Sequence, residues 1–171
     1  MPYAVELLFD AATEAALRRL ITGENTAHRP HVSLGGCRSL RDRNVLIRSL
    51  QTLADEQAGP LPVTLACLGV FPGDEGIVFY GVTVTTGLLL LHRRFHAAFT
   101  PQASDWSPFY EPGVWVPHCT LAYGLMPERL PEALALLQSQ LLPSLSGLLT
   151  GIALVEIPSG EEITVFAFSS A

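Results

Sequence analysis

The chain contains no lysine: all ten of its basic residues are arginine, against sixteen aspartate and glutamate residues. Charged residues make up only 15% of the 171 residues, and the formal net charge at pH 7 is −6. An acidic chain does not suit extensive sequence-independent binding to a long nucleic acid, whose phosphates attract basic side chains. We therefore expect no DNA partner, and a small ligand or at most the end of an RNA.

Long apolar runs are also missing. The run Leu88–Leu91 is followed within two residues by Arg93 and Arg94, far short of the eighteen or so apolar residues that a membrane-spanning helix needs. Met1 and Pro2 precede an alternating segment and do not form the charged and apolar regions of a secretory leader. The sequence thus predicts a cytoplasmic protein without a membrane partner.

Cysteine is scarce, and its spacing indicates no metal site. Cys37, Cys67 and Cys119 are odd in number and far apart, so we predict reduced structural thiols, with Cys119 facing inward. His92 and His96 lie four residues apart, a spacing that can bind a metal on one helical face, but no third ligand is evident. We predict that these two are ordinary, partly exposed histidines, and that the protein uses neither metal nor cofactor.

What the chain does contain is one pentapeptide pattern in two copies. Pro30–Leu34 and Pro117–Leu121 both read Pro, His, any residue, Ser or Thr, then Leu. Shuffling this composition would rarely produce one such match, so two copies indicate a genuine internal repeat.

Each copy places a histidine and a hydroxyl on one face of a strand. Successive residues of a strand alternate sides, so His31 projects with Ser33, and His118 projects with Thr120. Extending the alternation predicts that small residues share these faces and that larger ones point into a core. The small residues are Gly35, Ala122 and Gly124; the core residues are Val32, Leu34, Cys119, Leu121 and Tyr123.

Two histidines supply an acid and a base near neutral pH, because the ordinary pKa of histidine is about 6.5. Ser and Thr hydroxyls can hold the non-bridging oxygens of a phosphate. The set fits phosphodiester cleavage by general acid–base catalysis without a metal ion. The alternative is that each motif is an ordinary buried strand whose histidine is satisfied by local hydrogen bonds.

Four further residues are candidate substrate contacts. Arg29 and Arg38 flank the first motif and could bind a phosphate through two parallel hydrogen bonds, although a surface role suits them as well. Phe71 and Tyr110 lie beside turns and could stack on a base, although either could equally be a packing residue. His28 precedes the first motif and is interpreted as a loop histidine.

The predicted elements occur in the same order in both halves of the chain. The first half is predicted as a strand at 3–9, helix at 11–22, motif strand at 30–35, helix at 40–57 and strands at 61–70 and 77–85. The second is predicted as a helix at 87–99, motif strand at 116–123, helix at 128–142 and strands at 149–157 and 162–169. We predict one domain, 1–171, whose duplicated α-β-α-β-β units form lobes at about 11–85 and 87–170. Pseudo-twofold symmetry would bring both motifs to a shared cleft.

Local signals set some boundaries of these elements. Gly23 should end the first helix, and Ser39 with Asp42 should form a capping box before the second. The segment Pro72–Gly76 is typical of a hairpin connection.

The two motifs resemble those of the two-histidine (2H) phosphoesterase superfamily, in its 2'-5' RNA ligase-like branch, over nearly the whole chain. The resemblance is carried by His31–Leu34 and His118–Leu121, by the lead-in Trp115–Pro117, and by the hairpin segments Cys67–Phe71 and Val78–Tyr80. It implies a bilobal α+β fold with antiparallel sheets around a cleft, and metal-independent chemistry on 2',3'-cyclic phosphates or 2'-5' linkages. It also implies that the motif histidines are catalytic and the motif hydroxyls hold the phosphate.

We therefore expect a cyclic phosphodiesterase that acts on RNA ends or nucleotides. Whether it also has reversible 2'-5' RNA ligase activity is left open at this point. Another nucleotide-derived cyclic phosphate or a 2'-5' oligonucleotide is an alternative substrate, and a nucleotide- or RNA-binding module with little catalysis is an alternative class. A monomer is favoured. The near-symmetric motifs do not indicate which histidine is the acid, but the pair predicts a bell-shaped pH profile.

Overall fold

A computed structural model describes residues 2–21, 28–71, 73, 75–140 and 144–169. In chain order the elements are β1 (Tyr3–Phe9), α1 (Ala11–Arg18), β2 (His31–Cys37), β3 (Ser39–Leu40), α2 (Arg43–Glu56), β4 (Leu61–Phe71), β5 (Gly76–Val82), α3 (Thr86–Phe99), β6 (Ala103–Ser104), β7 (His118–Leu125), α4 (Leu130–Gln140), β8 (Leu145–Glu156) and β9 (Glu161–Ala167). Short 3-10 turns occur at Pro108–Tyr110 and Pro127–Arg129. No helix in the described ranges has the length and apolar character to cross a membrane.

Aspartate side chains begin the first two helices. Asp10 accepts hydrogen bonds from the N–H groups of Ala12 and Thr13, and from that of Leu148 on β8, so it also ties α1 to the sheet. Asp42 caps α2 in the same way. The predicted capping box is wrong in one member, because Ser39 belongs to β3, which pairs with β6. Gly23 and part of the predicted hairpin connection lie outside the described residues.

The strands form an antiparallel sheet in the order β2-β1-β8-β4-β5-β7, with β9 also paired to β8. The twelve-residue β8 connects two regions of this sheet. Its first part, Leu145–Leu149, pairs with β4, and its second part, Gly151–Glu156, pairs with β9. Strand β1 pairs with β8 on its other side. The predicted α+β class with antiparallel strands is confirmed.

Both regions of the sheet combine strands from the two halves of the sequence. β1 and β2 from the first half join β8 and β9 from the second, while β4 and β5 join β7 and β8. The segments 11–85 and 87–170 therefore do not build separate sheets. Of the edge strands, β7 pairs with β5 from the other half of the chain, β9 pairs with β8 from its own hairpin, and β2 pairs with β1 across the connection that contains α1.

The apolar faces of the helices and strands meet in one core. Helices α2 and α3 pack on each other, α2 also packs on β8 and β9, and α3 packs on β2. Strands β2 and β7, at the two ends of the sheet order, also lie close together. The protein therefore brings its two motif strands side by side without pairing them with each other.

Candidate active site

The faces of the motif strands are those that the alternation predicts. Val32, Leu34, Cys119 and Leu121 are almost completely buried, whereas the motif histidines and hydroxyls are partly exposed. Cys119 faces inward as predicted, and burial raises the pKa of its thiol to about 12. The hydrophobic faces thus fix the histidine–hydroxyl pairs on the opposite side of each strand.

The two motif imidazoles make the same hydrogen bond. Nδ1 of His31 lies 2.7 Å from the carbonyl oxygen of Arg29, and Nδ1 of His118 lies 2.7 Å from that of Val116. In each case the carbonyl belongs to the residue two positions earlier. A carbonyl only accepts, so Nδ1 carries the proton and Nε2 is left to exchange protons in both rings.

A cleft of about 440 Å³ lies against the first motif. Glu6, His31 and Ser33 line it from the β1–β2 side, and Thr120 and Tyr123 line it from β7. His118 is outside the lining residues but near enough to His31 for the two charges to interact. Three of the four motif residues, His31, Ser33 and Thr120, therefore line one cleft, which has the size of a small-molecule site, and His118 lies close by.

His118 lies in an aromatic environment. The rings of Phe71 and Phe79 lie 4.9 and 5.0 Å from its imidazole, measured between ring centroids. Burial lowers the pKa of His118, the nearby charge of His31 lowers it further, and the Val116 carbonyl opposes both effects. At neutral pH this imidazole is accordingly held in its neutral form.

His31 instead lies beside a buried carboxylate. Glu6 is only 2% exposed; its Oε2 is 3.4 Å from Nδ1 of His31 and its Oε1 is 3.1 Å from Nε2 of His28. Contact with Glu6 raises the pKa of His28, against the opposing effect of burial. These three residues also place ligand-type atoms within 4.8 Å of one another, but a cation at Nδ1 of His31 would have to displace the proton that Arg29 accepts.

The four further candidate substrate contacts lie in different parts of the structure. The Arg29 guanidinium pairs with Glu14 and Glu162, so only its carbonyl contacts His31. Arg38 is exposed and follows the far end of β2, seven residues or about 23 Å along an extended strand from the motif histidine.

The two aromatic candidates both lie at the motif residues. Tyr110 lines the cleft and its hydroxyl is hydrogen-bonded to that of Ser33. Phe71 stacks on Phe79 and meets the ring of His118 edge-on. Phe71 therefore belongs to the site, where it packs against the His118 imidazole instead of presenting a free face for a base.

Three predictions about strand faces, those for Tyr123, Ala122 and Gly35, are wrong because bulges interrupt the alternation. Ala122, predicted to share the open face of Thr120, is 3% exposed and belongs to the core. Phe79 pairs with Thr120 and Val78 with Ala122, so β7 contains an extra residue and Tyr123 turns towards the cleft, 51% exposed. A similar shift in β2 turns Gly35 towards α3, where a Cβ atom would lie 3.0 Å from the Phe95 ring. The missing side chain of Gly35 thus makes room for a core phenylalanine, while the residue itself also lines the cleft.

Trp115 connects the two motifs. Its indole Nε1 donates a 2.9 Å hydrogen bond to the backbone carbonyl of Ser33, 82 residues earlier in the chain. The ring is buried and stacks on His92 at 3.9 Å with an angle of 7° between the planes. The sequence contained no signal for this contact, nor for that of Glu6, because both depend on how distant segments meet.

His92 and His96 are buried, 1% and 5% exposed, so the prediction that they are partly exposed is wrong. Their Nε2 atoms have no hydrogen-bond partner among the described residues. Burial, followed by the charge of His96, lowers the pKa of His92 to about 4, while the backbone carbonyls of Tyr110 and Leu34 oppose this. The imidazole of His92 therefore serves as a neutral aromatic ring against Trp115.

Neutral burial of His92 predicts a loss of stability in acid. In the unfolded chain His92 is protonated below about pH 6.5, whereas in the folded protein it stays neutral down to about pH 4. The free energy of unfolding therefore falls as the pH drops through this range. At pH 5 the effect is roughly 2 kcal/mol. When urea unfolding is measured from pH 7 to pH 4.5, the free energy of unfolding should fall less for His92→Phe than for the wild type. Parallel curves for the two proteins would contradict the burial of a neutral imidazole.

Comparisons with known proteins agree with this geometry. The family model for the 2'-5' RNA ligase superfamily matches residues 8–161. Among solved structures, TT0787 of Thermus thermophilus is similar with a TM-score of 0.67 and 19% identity, over 99% of both chains. A crystal structure described as a phosphoesterase has a TM-score of 0.58 and 15% identity, over 99% of this chain and 98% of the other. A search of curated proteins finds no significant match.

Proposed function

Because this chain belongs to the 2'-5' RNA ligase superfamily, we propose that it is a metal-independent phosphodiesterase that opens 2',3'-cyclic phosphates on nucleotides or RNA ends. The observation that carries the proposal is the matched hydrogen bonding of the two motif imidazoles. Both rings have Nδ1 anchored on a backbone carbonyl and Nε2 free for proton transfer. Two such groups meet the needs of a reaction in which one proton is taken up and another is given away.

The environments of the two histidines favour different roles. His118 has a lowered pKa and is neutral near pH 7, so it is the general base that takes a proton from water. His31 lies beside the carboxylate of Glu6, whereas His118 lies between two phenyl rings, and we assign His31 the complementary role of general acid. Water oxygen bonds to phosphorus as the ring P–O bond breaks, and the departing ribose oxygen takes its proton from His31. The product is a phosphomonoester.

The hydroxyls of Ser33 and Thr120 are suited to hold the phosphate between the imidazoles. Both residues line the cleft, and each follows its histidine by two positions on the same strand face. Ser33 is oriented from both sides, by the Tyr110 hydroxyl and by the bond from Trp115 to its carbonyl. Fixed donors stabilise the charge that develops on phosphoryl oxygens without reorganising during the reaction.

The rest of the cleft fits one nucleoside. Beyond the motif residues it is lined by Tyr3, Ile77, Ile157 and Pro158, an apolar surface suited to a base. Tyr123 presents a half-exposed ring at the mouth, where a second base could stack. With Arg29 engaged by carboxylates and Arg38 distant, a nucleotide or a short RNA end is a better substrate than a long RNA.

With the 5'-hydroxyl of a second RNA end in place of water, the same proton transfers would join the two ends through a 2'-5' linkage: the 5'-oxygen bonds to phosphorus as the bond to the 3'-oxygen breaks, and the 3'-oxygen takes the proton of the acid. Another cyclic phosphate or a 2'-5' oligonucleotide would fit the same chemistry. A binding module with little catalysis is a distinct alternative. It predicts that ligand affinity survives the loss of either motif histidine while no turnover occurs.

The test is hydrolysis of the four nucleoside 2',3'-cyclic monophosphates and of a short RNA that ends in a cyclic phosphate, with EDTA present. We expect turnover by the wild type, and none by a folded His31→Ala/His118→Ala double variant. The position of the product phosphate identifies the bond that is opened. A wild-type protein that binds these compounds without turnover would favour the binding module, and activity lost to EDTA would contradict the metal-independent mechanism.

A further inference from the structure

The two motifs differ in charge at one matched position. Across the sheet, Ser33 is paired with Glu6 on β1, and the equivalent Thr120 is paired with Phe79 on β5. Each partner contacts its motif histidine, since Glu6 lies 3.4 Å from His31 and the Phe79 ring lies 5.0 Å from that of His118. One imidazole thus has a carboxylate where the other has a phenyl ring.

Burial of the Glu6 carboxylate beside His31 is energetically unfavourable, which indicates that this residue has a function there. Its side chain is almost fully buried in an otherwise apolar strand, and a lone carboxylate in such a position would be strongly disfavoured. His28 compensates it: one carboxylate oxygen faces Nε2 of His28, and the other faces Nδ1 of His31. One oxygen of the Glu6 carboxylate thus contacts His28, which offsets the cost of burying the charge, and the other contacts the catalytic ring of His31.

We propose that Glu6, held by His28, is a positioning residue that keeps the His31 ring oriented for its role as general acid. The inference rests on the proposed function for its kinetic consequences. His28 contacts the Glu6 carboxylate oxygen that His31 does not use, and its ring also lies 4.8 Å from that of His31, measured between ring centroids. We assign its influence on His31 chiefly to the carboxylate, and the second test below separates this route from the direct ring contact. The carboxylate and the Arg29 carbonyl together surround Nδ1 of His31, so Nε2 is directed away from both.

Other charged or titratable groups also face these residues and bear on any pH dependence. The charge of Glu6 acts on Tyr110 and Cys119, that of Glu162 acts on His28, and that of His31 acts on His118; Arg29 in turn pairs with Glu162. A variant of Glu6 is therefore compared with one in which an equivalent carboxylate is removed elsewhere. Glu56, which pairs with Arg94 on the surface of α2, provides that control.

The first test combines kinetics with NMR on Glu6→Gln, which keeps the size of the side chain and removes its charge. We expect kcat on a nucleoside cyclic phosphate to fall about ten-fold with a smaller change in KM, and the pH profile to change. The 15N shift of the His31 ring at Nδ1 should also change. Glu56→Gln should change none of these.

The NMR result does not require turnover, so it separates this inference from the proposed function. If the wild type lacks phosphodiesterase activity but Glu6→Gln changes the His31 ring signals, the positioning role stands and the proposed reaction fails. If the enzyme is active and the folded variant retains both the wild-type pH profile and the wild-type ring signals, the positioning role is overturned.

A second variant tests the place of His28. His28→Gln should lower kcat in the wild-type background and have no further effect when combined with Glu6→Gln, because its influence passes through the carboxylate. Losses that multiply in the double variant would mean that His28 acts independently of Glu6, either on the His31 ring that it contacts or on the substrate, and would overturn its assignment as the partner of Glu6.

Discussion

Replacing His31 with Ala is expected to lower kcat for a nucleoside 2',3'-cyclic phosphate by about 10²- to 10⁴-fold, yet to spare most turnover of a nitrophenyl phosphodiester. A ribose oxygen is a poor leaving group and needs a proton as it departs, whereas nitrophenolate leaves as a stable anion. His118→Ala removes the residue that we propose as the base that activates water, so both substrates should be affected. The measurement is kcat for each variant on each substrate, in one buffer.

The difference between the two substrates identifies the acid and the base. Melting curves and circular dichroism control for folding, and added imidazole should restore part of the activity of His118→Ala, because it can replace a missing base. Opposite selectivity, with His118→Ala sparing the nitrophenyl substrate, would exchange the two roles. Equal losses on both substrates in both variants would contradict an acid in either position.

Replacing Trp115 with Ala is expected to lower the free energy of unfolding by about 3–5 kcal/mol, the usual cost of removing a buried aromatic ring. The cavity would lie between His92 and the carbonyl of Ser33, which are the two groups that the indole contacts. Trp115→Phe keeps the stacked ring and loses only the hydrogen bond, for which about 1 kcal/mol is expected. Urea unfolding at pH 7 measures both variants.

The same pair of substitutions tests whether Trp115 holds Ser33 in place. Trp106→Phe is the control, since that ring lies in the same connection between α3 and β7 and meets His96 edge-on at 5.6 Å. We expect Trp115→Phe to raise KM for a cyclic phosphate more than Trp106→Phe does. Equal kinetics for the two variants would mean that the bond to Ser33 stabilises the fold without affecting the phosphate site.

Strand alternation was sufficient to place the motif residues, because buried valine and leucine side chains fix each face. It failed at the first bulge in each strand, which explains the errors at Gly35 and Tyr123. An extra residue on one strand becomes visible only when its partner strand is known. Sequence periodicity describes a strand by itself, and a bulge is a property of a pair.

The burial of His92 and His96 was missed for a related reason. Four-residue spacing places two residues on one face of a helix but does not indicate which other residues pack on that face. Here the packing residue is Trp115, contributed by the lead-in to the second motif, and a neutral imidazole is flat enough to stack on it. Likewise, Glu6 could be assigned to the site only once β1 was known to pair with β2.

The position of β8 in the sheet has a consequence for synthesis of the chain on the ribosome. β1 and β4 both take hydrogen bonds from a strand that begins only at Leu145. At translation rates of about 5–20 residues per second, β1 waits roughly 7–27 s for its partner. Until then the first histidine lies on a two-stranded pair, β1 and β2, whose β1 edge has no hydrogen-bond partner from β8, and an edge of this kind can pair with other chains.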